Sequence, residues 1–157
     1  MTVLPKIVGR DEFAALIVRT AYDDEAAWQA VVADLVQPWG IGGEYDADVH
    51  LVDDPAWDGA TPGDVLAVAR ADEDLSVVFL ADSVTMQCAH RGLLALDIHD
   101  EDEDLDPMDG GPPPREFRTV PAGVHTVHAN LSIANMDFED FAEAAFTDPD
   151  GVFRSFS

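Results

Sequence analysis

Lysine is nearly absent from this chain: its one copy is Lys6, and 8 basic residues stand against 32 acidic ones. The formal net charge at pH 7 is therefore -24. A surface of that sign repels nucleic-acid phosphates and anionic membranes, which argues against direct binding to either. It favours a basic partner, or cations. A proteome-wide bias toward acidic, lysine-poor proteins would produce the same composition with no partner at all.

Cysteine is as scarce. With Cys88 alone, no disulfide and no cysteine-based zinc site can form within the chain, and its setting MQCAH carries no catalytic signature. Long apolar runs are missing too. No stretch approaches the roughly 20 residues of a membrane-spanning helix, and the first residues lack the basic-then-apolar order of a secretion signal. The expectation is a cytoplasmic protein, in which the sequon Asn130-Leu131-Ser132 is empty. Also absent are a Walker loop, a dinucleotide glycine fingerprint and a nucleophile elbow. Gly40-Ile41-Gly42-Gly43 follows a helix and not a strand, so it reads as turn chemistry.

What is present is a globular composition, 47% hydrophobic over 157 residues, enough for one domain with a sizeable core. Residues 1–12 read as a loose lead-in. Leu16-Ile17-Val18 reads as a first strand, followed by a helix capped by Asp23 or Asp24 with Trp28, Val31, Val32 and Leu35 at core-facing spacing. Val49 and Leu51 alternate with polar neighbours, which predicts a second strand. Thr61 as cap, Pro62 at the first helical position and Asp64 in the capping-box position mark a second helix. Val77–Ala81 is a continuous apolar run, as expected of a strand buried on both faces. Leu93–Ile98 and Phe117–Val120 supply two more strands, separated by the acidic, Pro/Gly-rich segment 100–115, expected to be a mobile loop. Val124, Val127 and Leu131 fall on one helical face. A last helix starts at Asp137 as cap, with Met136 and Phe141 at staple positions and Phe138, Phe141, Ala142 and Ala145 as its stripe. Alternating strands and helices predict a single α/β domain with a mainly parallel central sheet flanked by helices.

Several blocks have a familiar look: LIVRT, DDEAAWQ, VDDPAWDG, VFLAD, and above all NLSIANMDFEDFAEAA with GVFRSF. They resemble a family of small actinobacterial proteins whose shared domain has no assigned function. The resemblance runs from about Ala15 onward and fails in the acidic insertion. It implies a bacterial, actinobacterial, cytoplasmic protein and brings no catalytic residues with it.

Open parallel sheets bind ligands beyond the carboxyl ends of their strands. Three predicted strands run there into aspartates, Asp23 with Asp24, Asp53 with Asp54, and Asp82. Converging carboxylates would hold Mg²⁺. The plainer roles are helix capping and an Asx turn before Pro55. A phosphate-accepting receiver site needs a lysine near the last strand, and the position of the one lysine, Lys6, argues against it. His125 and His128 would share a helical face, with His50, His90, His99 or an acid as a third zinc ligand. Partial exposure beside an apolar stripe is the alternative. Asp100, Asp102 and Asp104 open like a Ca²⁺ loop, but Leu105 and Gly111 stand where its glycine and glutamate belong. Arg19, Asn130 and Asn135 are polar residues beside core-forming runs, and Trp57 is either an exposed partner anchor or a cover for the core edge.

Too few positioned nucleophiles and bases are visible for an enzyme. The leading expectation is a non-catalytic module that binds another protein through its acidic surface, in the manner of an immunity protein or antitoxin facing a basic toxin. The alternative is a cation-dependent enzyme or small-ligand binder built on Asp23, Asp53 and Asp82.

Overall fold

A computed structural model describes residues 14–37, 49–69, 75–87, 90–98, 116–132 and 138–154. The lead-in 1–12, the insertion 100–115, Cys88, Asn135, and the Met136–Asp137 staple and cap lie outside the described residues. Six described strands form one sheet in the order β2-β1-β3-β4-β5-β6. They are β1 (Ala15–Arg19), β2 (Val49–Val52), β3 (Val77–Ala81), β4 (Leu93–Asp97), β5 (Glu116–Thr119) and β6 (Val152–Phe153). The described helices are α1 (Glu25–Leu35), α2 (Pro62–Ala69), α3 (Ser83–Gln87), α4 (Val124–Ser132) and α5 (Phe138–Thr147).

Every residue of β1 and β3 is buried, as continuous apolar strands in the middle of a covered sheet must be. One face packs Ile17, Phe79, Ala95 and Phe117 against Trp28 and Val31 of α1, Val124 and Val127 of α4, and Phe141 and Ala145 of α5. The other packs Leu16, Val18, Val78 and Leu80 against Val65 and Ala69 of α2 and against Trp57. Aromatic rings lock the α5 side, with Phe141 edge-on to Phe153 at 5.1 Å.

The capping expectations around α1 and α2 hold at atomic detail. Asp24 accepts from the Ala27 amide at 3.0 Å and so starts α1. Thr61 and Asp64 exchange hydrogen bonds at 3.0 and 3.1 Å, the reciprocal box that opens α2. Asp54 turns the chain into a 3₁₀ turn over Pro55–Trp57 by accepting from the Ala56 amide, and Gly59 leaves that turn at φ 80°, where only glycine is unstrained.

The sheet is mixed, though mostly parallel. β2, β1 and β3 are mutually parallel, β4 runs against β3 and β5, and β6 is parallel to β5. The reversal has a covalent reason: a parallel return needs a crossover of about a dozen residues or more that spans the sheet. The β3–β4 connection spans only 82–92, and α3 is the one helix among its described residues, so the chain turns back directly. Val152–Phe153, too short to show a strand pattern in the sequence, pairs with Arg118 and Thr119 as a strand.

Helix α1 takes an unusual path. Asp34 in its last turn pairs with Arg91 just before β4, and the Leu35 carbonyl lies 2.8 Å from Nε2 of His125 at the start of α4. It therefore runs from the end of β1 across to the margin where β4 begins and β5 ends.

Candidate functional site

Arg19 ends β1 on the face covered by α1, and it is 3% exposed. Its Nε donates to the Ala21 carbonyl at 2.9 Å, one terminal nitrogen donates to Asp53 at 3.2 Å, and the other meets Glu25 at 2.7 Å. The guanidinium carbon stacks 4.1 Å from the Tyr22 ring centre and 5.2 Å from that of Trp28. Trp28 Nε1 donates to the second oxygen of Asp53 at 3.2 Å. One cation thus joins the end of β1, the first turn of α1 and the loop after β2. Glu25 is held below the usual carboxylate range, first by its hydrogen bond from Gln29 and then by Arg19.

The Tyr22 hydroxyl is buried and makes no hydrogen bond of normal geometry among the described residues. Its pKa is pushed up to about 12, mainly by burial and then by the Asp53 carboxylate, against the pull of Arg19 and the Asp54 amide. Near neutral pH it is a neutral phenol.

A second polar group binds the ends of β3, β4 and β5. Arg118 grips Asp82 through both terminal nitrogens at 2.9 Å and donates to the Gly92 carbonyl at 3.0 Å. Asp82 and Thr85 exchange hydrogen bonds at 3.1 and 3.2 Å, which starts α3, and the buried Thr85 hydroxyl also lies 3.0 Å from the Gly92 carbonyl.

Burial pushes the Asp82 carboxyl up, but the bonds from Arg118 and Thr85 outweigh it and hold the pKa below the usual value. A pKa depressed by folding contributes stability that is complete above the unfolded-state value and is lost as pH falls through the folded one. Arg118→Met is therefore expected to destabilise most near neutral pH, with its penalty shrinking below about pH 4. Urea unfolding of both proteins from neutral pH down to about 3 checks this. A penalty that stays constant would assign Arg118 to packing alone.

The four described arginines lie on one margin of the sheet: Arg19 at the end of β1, Arg91 before β4, Arg118 near the end of β5 and Arg154 after β6. Each is tied to carboxylate, Arg91 to Asp34 and Arg154 to Asp148 and Asp150, besides the pairs above. None is left uncompensated to receive an anion.

Several sequence-based expectations need correction. Trp57 is fully buried in the α2-side core, so it is not an exposed anchor. His125 and His128 are each 5% exposed, and so are core residues, not half-exposed ones. Asp23, Asp53 and Asp82 are not gathered: among the described residues no group of three or more Asp, Glu, His or Cys is placed to hold a metal ion. Asp53 and Asp82 serve arginines instead. Asn130 donates at 2.8 Å to the Thr126 carbonyl one turn back in α4. Asn135 lies outside the described residues.

Arg19 and Asp53 were both singled out from sequence, and the structure brings them together. Their companions Tyr22, Glu25 and Trp28 were not, nor was Arg118. The Asp82–Thr85 spacing was a readable capping signal that would have located α3. Among the described residues no helix is long and apolar enough to cross a membrane. No match is found among curated proteins. Residues 14–156 match a family whose shared region is described as a domain of unknown function, and the chain belongs to that family, DUF6924.

Proposed function

We propose that this chain is a non-catalytic interaction module of the actinobacterial cytoplasm that recognises a basic protein, in the manner of an immunity protein or antitoxin. One observation supports the reading most. Asp23, Asp24 and Glu25 at the start of α1, and Asp53, Asp54 and Asp58 after β2, are all exposed, and Arg19 beneath them holds the two segments together. Neither segment carries a lysine or arginine. The result is a preorganised acidic rim whose one arginine partner among the described residues, Arg19, is buried. Such a rim steers a basic partner during diffusion and repels wrong ones.

Asp23 and Asp58 are the rim acids whose carboxylates make no hydrogen bond or ion pair within the described residues, so they are the acids whose reversal disturbs the described fold least. The test is capture of a partner from the lysate of the source organism on the immobilised full chain, followed by kinetics with that purified protein. A basic protein should bind, its association should slow with added salt, and Asp23→Lys with Asp58→Lys should slow it by about tenfold or more. Salt-independent binding, or indifference to both reversals, sinks the proposal.

A further inference from the structure

The acidic rim continues directly from the outermost described strand on its side of the sheet. β2 pairs with β1 and, among the described residues, with nothing on its other side. All four of its residues, Val49, His50, Leu51 and Val52, are only half-buried, whereas the interior strands β1 and β3 are wholly buried. The usual protections of an edge, a proline, a lysine or an inward-pointing charge, are missing from this strand. An edge of this kind offers main-chain donors and acceptors to an added strand.

We propose that β2 receives an extended basic segment of the partner as an additional strand, so that main-chain pairing along Val49–Val52 delivers the segment's lysines or arginines onto Asp53, Asp54 and Asp58. The proposal rests on the acidic-rim reading above and says how that rim is used. Charge selects the occupant. A second copy of this chain would bring another -24 to the same edge, and an acidic or neutral strand would gain nothing from the carboxylates that follow Val52. Main-chain pairing supplies register and area, while the rim supplies the sign of the partner.

Because strand addition is made by backbone groups, a generic basic strand is a fair probe. Three synthetic peptides would be titrated into the isotope-labelled full chain: alternating Arg and Val, the same peptide N-methylated at alternate amides on its pairing edge, and an alternating Glu and Val version. The basic peptide is expected to slow amide exchange in β2 about tenfold or more and to shift the Asp53–Asp58 resonances. N-methylation, which removes pairing donors without changing charge, is expected to weaken its binding about tenfold or more, and the acidic peptide is expected not to bind.

Equal binding of the methylated peptide, with shifts confined to the rim, would overturn strand addition while leaving the rim reading standing. Binding of the acidic peptide as tight as the basic one would overturn the rim reading. No slowing of β2 exchange by the saturating basic peptide would overturn strand addition by itself.

Discussion

Trp57→Ala is expected to cost about 3–5 kcal/mol of folding stability, near the top of the range for one substitution. The indole is fully buried against Leu16, Val18, Leu80 and Val65 in the α2-side core. Removing it opens a cavity that strands buried on both faces cannot collapse to fill. For a domain of this size the change amounts to roughly ten degrees in melting temperature. Trp57→Phe should cost much less, because the indole Nε1 has no hydrogen-bond partner among the described residues and its loss relieves a buried polar group. Phe146, 63% exposed on α5, is the internal control. Its replacement by alanine should change stability by no more than about 0.5 kcal/mol. Thermal unfolding of the three variants decides the matter. A Trp57→Ala protein as stable as its parent would return Trp57 to the surface and undo the packing described for that face.

The contrast between those two aromatics shows where the sequence was legible. Trp57 follows Pro55 in an acidic loop, and no local pattern says whether such a ring turns in or out; that depends on β1 and β3, which are distant in sequence, as much as on the nearby α2. Local signals fared better because their partners lie within one turn. The Thr61–Asp64 box, the Asp24 cap and the apolar runs of β1 and β3 each carry their cause within a few residues. The direction of β4 was not local, since it follows from the length of a connection. β6 was missed because two residues carry no periodicity, and their strand character comes entirely from pairing with β5.

The candidate site divides the same way. Arg19 and Asp53 could be named as polar residues at strand ends, but not as partners, because 34 residues separate them. Their union, and the aromatic walls around it, come from the parallel register of β1 and β2, which sets Val18 beside Val52 and so brings the next residue of each strand to the same level. Asp82 looked like a metal ligand for the same reason that it can bind Arg118: a carboxylate at a strand end takes whichever cation the fold supplies. Here the fold supplies a guanidinium.

Arg19→Met tests how much of this arrangement depends on charge. Methionine keeps much of the aliphatic volume while removing the bonds to Ala21, Asp53 and Glu25 and the stacking on Tyr22 and Trp28. A fully buried ion pair broken at one partner costs about 3–5 kcal/mol. The carboxylates here are partly exposed and keep some hydration, so about 2–3 kcal/mol is expected, or roughly 5–10 °C. The sign of the coupling separates charge from packing. Without Arg19, Asp53 faces Glu25 with no cation between them, and Asp53→Asn in the Arg19→Met background should restore part of the loss, although it destabilises the parent chain. Added salt should restore part as well, by screening the rim acids from one another. If Arg19→Met melts with its parent, the pairs contribute no more than ordinary surface ion pairs, and the rim is held together by packing. If it melts early but neither Asp53→Asn nor salt recovers stability, what was lost is the stacking on Tyr22 and Trp28 and the bond to the Ala21 carbonyl. Recovery by both would make Arg19 the electrostatic support of the acidic rim, and the same variant should then bind a basic partner more weakly despite having lost a positive charge, because the α1 start and the β2 end would no longer be held side by side.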